Sequence, residues 1–147
     1  MSVATRSVER TTPRERLDRW AAPALRWSIA VVFLWFGALK VTGASPVAEL
    51  VEAAVPWVDP GFLVPALGWF EVVLGLVLLL GWLPRLTLVV AAVHLVGTFL
   101  VFVQAPTLVI FHGNPLLLTT NGEFVLKNVV LVCAVLVLLG RTTTRTS

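Results

Sequence analysis

Four long apolar runs divide the chain, each broken by a few polar positions. The first, ALRWSIAVVFLWFGALKV, spans about 24–41. The second, VPALGWFEVVLGLVLLLGWL, spans about 64–83, and the third, LTLVVAAVHLVGTFLVFV, about 86–103. The fourth spans about 123–140. A helix crosses the hydrocarbon with about 20 residues. Backbone in hydrocarbon must satisfy its own hydrogen bonds, so each run predicts a transmembrane helix. A polar segment, 1–20, precedes a membrane domain at 21–140, and a short tail follows at 141–147. The first dozen residues read as disordered. After Pro13, RERLDRW predicts a short surface helix with Leu17 and Trp20 dipping into the bilayer. The expected fold is an all-α integral membrane protein, a bundle of four transmembrane helices.

The connections differ in kind. Pro84-Arg85 is so short that the second and third helices must be antiparallel neighbours. The other two links, about 42–63 and 104–122, are long. In the first, Ser45-Pro46 predicts a cap and first turn, and Val47, Leu50, Val51 and Ala54 form an apolar face opposite Glu49 and Glu52. Such a helix lies in the membrane interface. Pro56, Trp57, Asp59, Pro60 and Gly61 then read as its terminator. The second link, APTLVIFHGNPLLLTTNG, is too apolar for a free loop and too short to span, and Gly113-Asn114-Pro115 breaks it, which predicts an apolar lid or re-entrant segment packed over the outer end of the bundle. His112 falls in this lid.

Charge sets the orientation. Arg6, Arg10, Arg14, Arg16, Arg19 and Arg26 precede or open the first helix, Arg85 sits in the tight turn, and Arg141 and Arg145 follow the fourth. The long links carry Glu49, Glu52 and Asp59 and no arginine. The positive-inside rule places both termini in the cytoplasm and the long links outside. The same distribution explains the pI of about 10.0 without nucleic acid, since the basic residues act as topology signals.

Composition agrees. The 147 residues are 58% hydrophobic and 13% charged, with mean hydropathy +0.93, against about 25% charged in soluble domains. Cys133 is the lone cysteine, in an apolar run where it reads as a small packing residue. One thiol excludes dithiol chemistry by this chain alone. No metal-ligand spacing and no intrinsic cofactor signature is visible.

Each span also carries an ionisable residue: Lys40, Glu71, His94 and Lys127. Charges in spans are expensive and are functional candidates by default. Small residues share their faces. Gly37 stands with Lys40, Gly68 and Gly75 with Glu71, and Gly97 and Thr98 with His94, which predicts close helix packing around a polar interior. In GEFVLKN, Glu123 and Lys127 are one turn apart, with Asn128 beside them. The expectation is that Lys127 faces the interior and pairs with Glu71 or Glu123, while Lys40 reaches the same pocket or snorkels to the interface. His94 lies deeper, able to bond a ligand head or move a proton. Trp35 and Trp69 read mainly as interface anchors, near enough to line the pocket. A neutral polar network of this kind also serves simply to hold helix register.

The motifs WFGALK, G-x-x-E-x-x-x-G followed by an L-P-R turn, and GEFVLKN, in this order from about Leu25 to Leu139, resemble the DoxX-like superfamily of small four-helix bacterial inner-membrane proteins. Its reactive-chlorine-resistance branch looks nearest. The matching positions are Gly37, Lys40, Gly68, Glu71, Gly75, Gly122, Phe124, Lys127 and Asn128. The resemblance implies a multi-pass protein of the bacterial cytoplasmic membrane. It also implies a quinone-linked or oxidative- and thiol-stress-defence role, but assigns no catalytic residue. On that reading the pocket holds a bound quinone, with Glu71, His94 and Lys127 as hydrogen-bond and proton partners. The alternatives are a non-catalytic membrane anchor or scaffold for a partner protein, such as a soluble redox protein, or, ranked lower, a small transporter, which with four spans would have to work as a homo-oligomer.

Overall fold

The computed structural model describes residues 12–143. The predicted disordered tail and the last residues, with Arg6, Arg10 and Arg145, lie outside them. Among the described residues there is no strand beyond one isolated bridge, Ile110 to Leu118. Four helical stretches are long and apolar enough to cross a membrane.

Helix α1, Pro13–Val41, is longer than the first apolar run. A capping box starts it: Glu15 N–H donates to Thr12 Oγ1 at 3.4 Å, and Thr12 N–H donates to Glu15 Oε2 at 2.9 Å. The surface helix expected at RERLDRW is therefore not separate. It is the first turns of α1, continuous through Pro23, which removes one backbone bond without ending the helix.

Helix α2, Ala48–Ala54, forms in the first long link with Leu50 and Ala54 buried. Its start corrects the expectation. Val47 occupies the cap position, and Ser45 Oγ only accepts weakly from Val47 N–H at 3.4 Å. The terminator is also corrected. Asp59 and Pro60 open the next helix, α3, Pro60–Leu80, with Asp59 Oδ1 accepting from Gly61 N–H at 2.9 Å and proline at the first position.

Helix α3 stops at Leu80, before the end of its apolar run. Gly81 is left-handed (φ +71°), Trp82 N–H donates to Val77 O at 3.1 Å, and Gly81 N–H to Leu78 O at 3.2 Å. This is a Schellman termination. Pro84 and Arg85 belong to the first turn of α4, Pro84–Gly97. That span continues through a 3-10 turn, Thr98–Leu100, and α5, Val101–Gln104.

The second long link folds into α6, Pro106–Val109, and a hairpin that turns at His112 (φ +49°) and Gly113 (φ +72°). Thr119 closes it. Its hydroxyl donates to Leu108 O at 2.6 Å and accepts from Gly122 N–H at 3.1 Å, capping α7, Thr120–Leu126. Gly122 is pressed against the Val109 carbonyl so closely that a Cβ would overlap it. Helix α8, Asn128–Thr143, follows after a break at Lys127.

The helices associate as two pairs, α1 with α3 and α4 with α8, each joining segments distant in sequence. The first pair is closely apposed. A Cβ on Gly37 would lie 2.7 Å from Gly68 O, and one on Gly68 2.8 Å from Lys40 Cβ. Gly75 meets Leu34 in the same way. These contacts set the register: Gly68 stands level with the end of α1, so α3 runs about 12 Å further, at 1.5 Å per residue. Helix α2 packs against α3 and against α5. One apolar core lies toward the termini, around Ile29, Phe33, Leu78, Leu88 and Val135. A second lies toward the long links, around Leu50, Val101, Val109 and Val125.

Candidate functional site

A cavity of about 730 Å³ opens between the pairs, bordered by members of both cores. Its polar wall consists of Lys40, Glu71, His94, Thr98, Lys127 and Asn128. Phe33, Phe36 and Phe124 supply aromatic surface, with Phe36 and Phe124 edge to face at 5.4 Å. The apolar face of α2, through Val47, Leu50, Val51 and Ala54, lines the cavity beside the end of α1. Among the described residues of the second long link, none from 104 to 122 borders it.

The centre of the polar wall is Glu71, 6% exposed. Its Oε2 lies 2.6 Å from Lys40 Nζ, and its Oε1 lies 2.8 Å from His94 Nε2. An ionised carboxylate only accepts, so Nε2 carries the hydrogen in this bond. Depth agrees with the geometry. Measured from the tight turn that joins the two helices, Glu71 is about 14 Å from Leu80 along α3 and His94 about 15 Å from Pro84 along the antiparallel α4, which places them at one level. The His94 ring is held between Phe33 and Phe70, with centroids at 5.7 and 5.3 Å. Lys40 is 5% exposed, so it does not snorkel. Its Cβ leans toward the start of α1, as in any helix, which aims the chain inward to Glu71.

A second polar contact ties α8 to the span of α4. Asn128 Nδ2 donates to Thr98 Oγ1 at 2.9 Å, and Thr98 Oγ1 donates to Leu95 O at 2.6 Å. This contact uses one of the two amide hydrogens of Asn128 on the cavity wall.

Lys127 departs from expectation. It borders the cavity, but it is exposed and forms no ion pair with Glu71, Glu123 or any other described carboxylate. The reason is adjacency: α1 lies against α3, so Lys40 takes the Glu71 carboxylate. Glu123 is exposed and does not border the cavity. Gly97 also differs, since nothing lies within 4 Å of where its Cβ would be. It forms cavity wall rather than a helix contact. Trp35 and Trp69 are 66% and 60% exposed and face away from the cavity. Cys133 is exposed on α8 rather than packed.

Sequence reasoning missed Phe33, Phe36, Phe124 and the α2 face as wall. Phe33 was recoverable, because it precedes Lys40 by seven residues and so shares its face. Among the described residues no three His, Cys, Asp or Glu side chains group as a metal-ligand set.

No curated protein and no solved structure matches the chain. A family match covers α1 from Ala21 through α5, including WFGALK and the glycines around Glu71, while GEFVLKN lies beyond it. It does not single out a reactive-chlorine-resistance branch. That match, the DoxX family over residues 21–105, spans more than half of the 147 residues, and the chain belongs to the DoxX family.

Proposed function

We propose that this DoxX-family protein is a component of quinone-linked or oxidative- and thiol-stress defence in the bacterial cytoplasmic membrane. Its cavity holds the polar head of a lipophilic molecule taken from the bilayer, and both termini face the cytoplasm. The observation that carries this reading is the cavity itself. It has the volume of small-molecule sites, roughly 300–1,000 Å³, with apolar walls and few polar groups. A quinone fits that wall. Its carbonyls need donors, which Lys127 Nζ and the second hydrogen of Asn128 Nδ2 supply, and its ring suits the Phe36 and Phe124 surface. A bound quinone would supply the electron-accepting chemistry. The chain's residues would bind and orient it, and His94 with Glu71 would hold or move a proton at the cavity wall.

Extraction in mild detergent, followed by mass spectrometry of co-purifying molecules, tests this. A stoichiometric quinone, lost on Lys127→Met, is the expected result. A stoichiometric soluble protein without a quinone would instead favour an anchor. The exposed Leu116, Leu117 and Phe111 on the hairpin of the second long link are the observation behind that second reading.

A further inference from the structure

We infer that the occupant of the cavity carries a single negative charge on its head: it is an acidic amphiphile. This rests on the proposal above that the cavity holds such a head. The charges of the wall carry it. Lys40 and Glu71 neutralise each other at 2.6 Å. His94 spends Nε2 on the same carboxylate, and Asn128 and Thr98 are bonded together. The carboxylates toward the long links are turned elsewhere. Glu49, Glu52 and Glu123 are exposed and border no part of the cavity, and Asp59 caps α3. Lys127 is thus left as an ammonium without a counter-charge among the described residues, beside Phe124 and Leu131 on a largely apolar wall. A lone charge on apolar surface in a membrane is costly, and a charge-assisted bond to an anionic head offsets that cost. The hydrocarbon tail takes the apolar remainder of the cavity. An acidic hydroxyquinone and a fatty acid share this chemistry.

The test uses the full chain in neutral detergent and native mass spectrometry. Two matched pairs serve as probes: a long-chain hydroxynaphthoquinone with its methyl ether, and oleic acid with methyl oleate. At least one acid should bind about tenfold or more tighter than its neutral partner. Lys127→Arg should keep that preference and Lys127→Met should abolish it, with thermal unfolding unchanged in both. Preference for the hydroxyquinone alone identifies a quinoid source, and for oleate alone a lipid source. Equal binding of acid and neutral partner overturns the inference and leaves the cavity reading standing. A preference that survives in Lys127→Met also overturns it, and places Lys127 among the headgroups instead. Binding of none of the four probes overturns both.

Discussion

Glu71 and His94, joined at 2.8 Å, belong to different helix pairs. Glu71 lies on α3, which packs along α1, and His94 lies on α4, which packs along α8. Their bond spans the seam between the pairs beside the cavity, while the same carboxylate holds Lys40 within its own pair.

Glu71→Gln keeps the volume and removes the charge. Lys40 is then left buried without a counter-ion, and breaking a buried pair from one side costs about 3–5 kcal/mol. Thermal unfolding in detergent should show a large drop, and membrane abundance should fall. Lys40→Met combined with Glu71→Gln should recover much of the loss. An unchanged single variant would refute a structural role for the pair.

His94→Phe removes the bond across the seam but leaves Lys40–Glu71 intact. The expected loss is smaller, about 1–3 kcal/mol. Hydrogen exchange should rise mainly at the cavity-bordering turns of α3 and α4. Uniform acceleration across the bundle would show that the contact is not confined to the seam.

The glycines separate close packing from open space. Gly37→Ala places a Cβ 2.7 Å from Gly68 O and 2.8 Å from Val72 N, so α1 and α3 must move apart. A lowered unfolding temperature follows. Gly97→Ala meets nothing within 4 Å and should be neutral or slightly stabilising, because alanine favours the helix by about 1 kcal/mol. Equal effects would contradict the packing described for α1 and α3.

Orientation is measurable with single cysteines in a Cys133→Ala background. Leu116→Cys, on the exposed hairpin, should react with an impermeant maleimide in intact cells. Ser147→Cys should react only after permeabilisation. The reverse pattern would invert the assignment of the termini.

The four spans were legible because bilayer crossing demands length and apolarity, and both are written locally. Their ends were less legible. Asp59-Pro60 follows one helix and starts another, and the sequence does not show which role dominates. Gly81 stops α3 inside an apolar run that hydropathy alone would continue to Leu83. The polar wall was legible as a set of residues, since Lys40, Glu71, His94 and Asn128 are costly in lipid. Its pairing was not. Which lysine reaches Glu71 depends on α1 lying against α3, a choice made by the glycines at 37, 68 and 75 together with the rest of the bundle. The part of α2 in the cavity wall was hidden for the same reason, because it follows from α2 packing against α3 and α5.

The Gly81 turn has a mechanical consequence. Helices α3 and α4 are consecutive in the chain, yet each is fastened mainly to a different partner, and their covalent link is just Gly81, Trp82 and Leu83. A rotation of one pair against the other about this link would act on levers about 30 Å long and would have to work against the Glu71–His94 bond. Each degree of rotation there displaces the opposite ends by about 0.5 Å on that lever. Widening the mouth between the halves by about 4 Å, the width of a methylene chain, would take a rotation of about 8° on that lever.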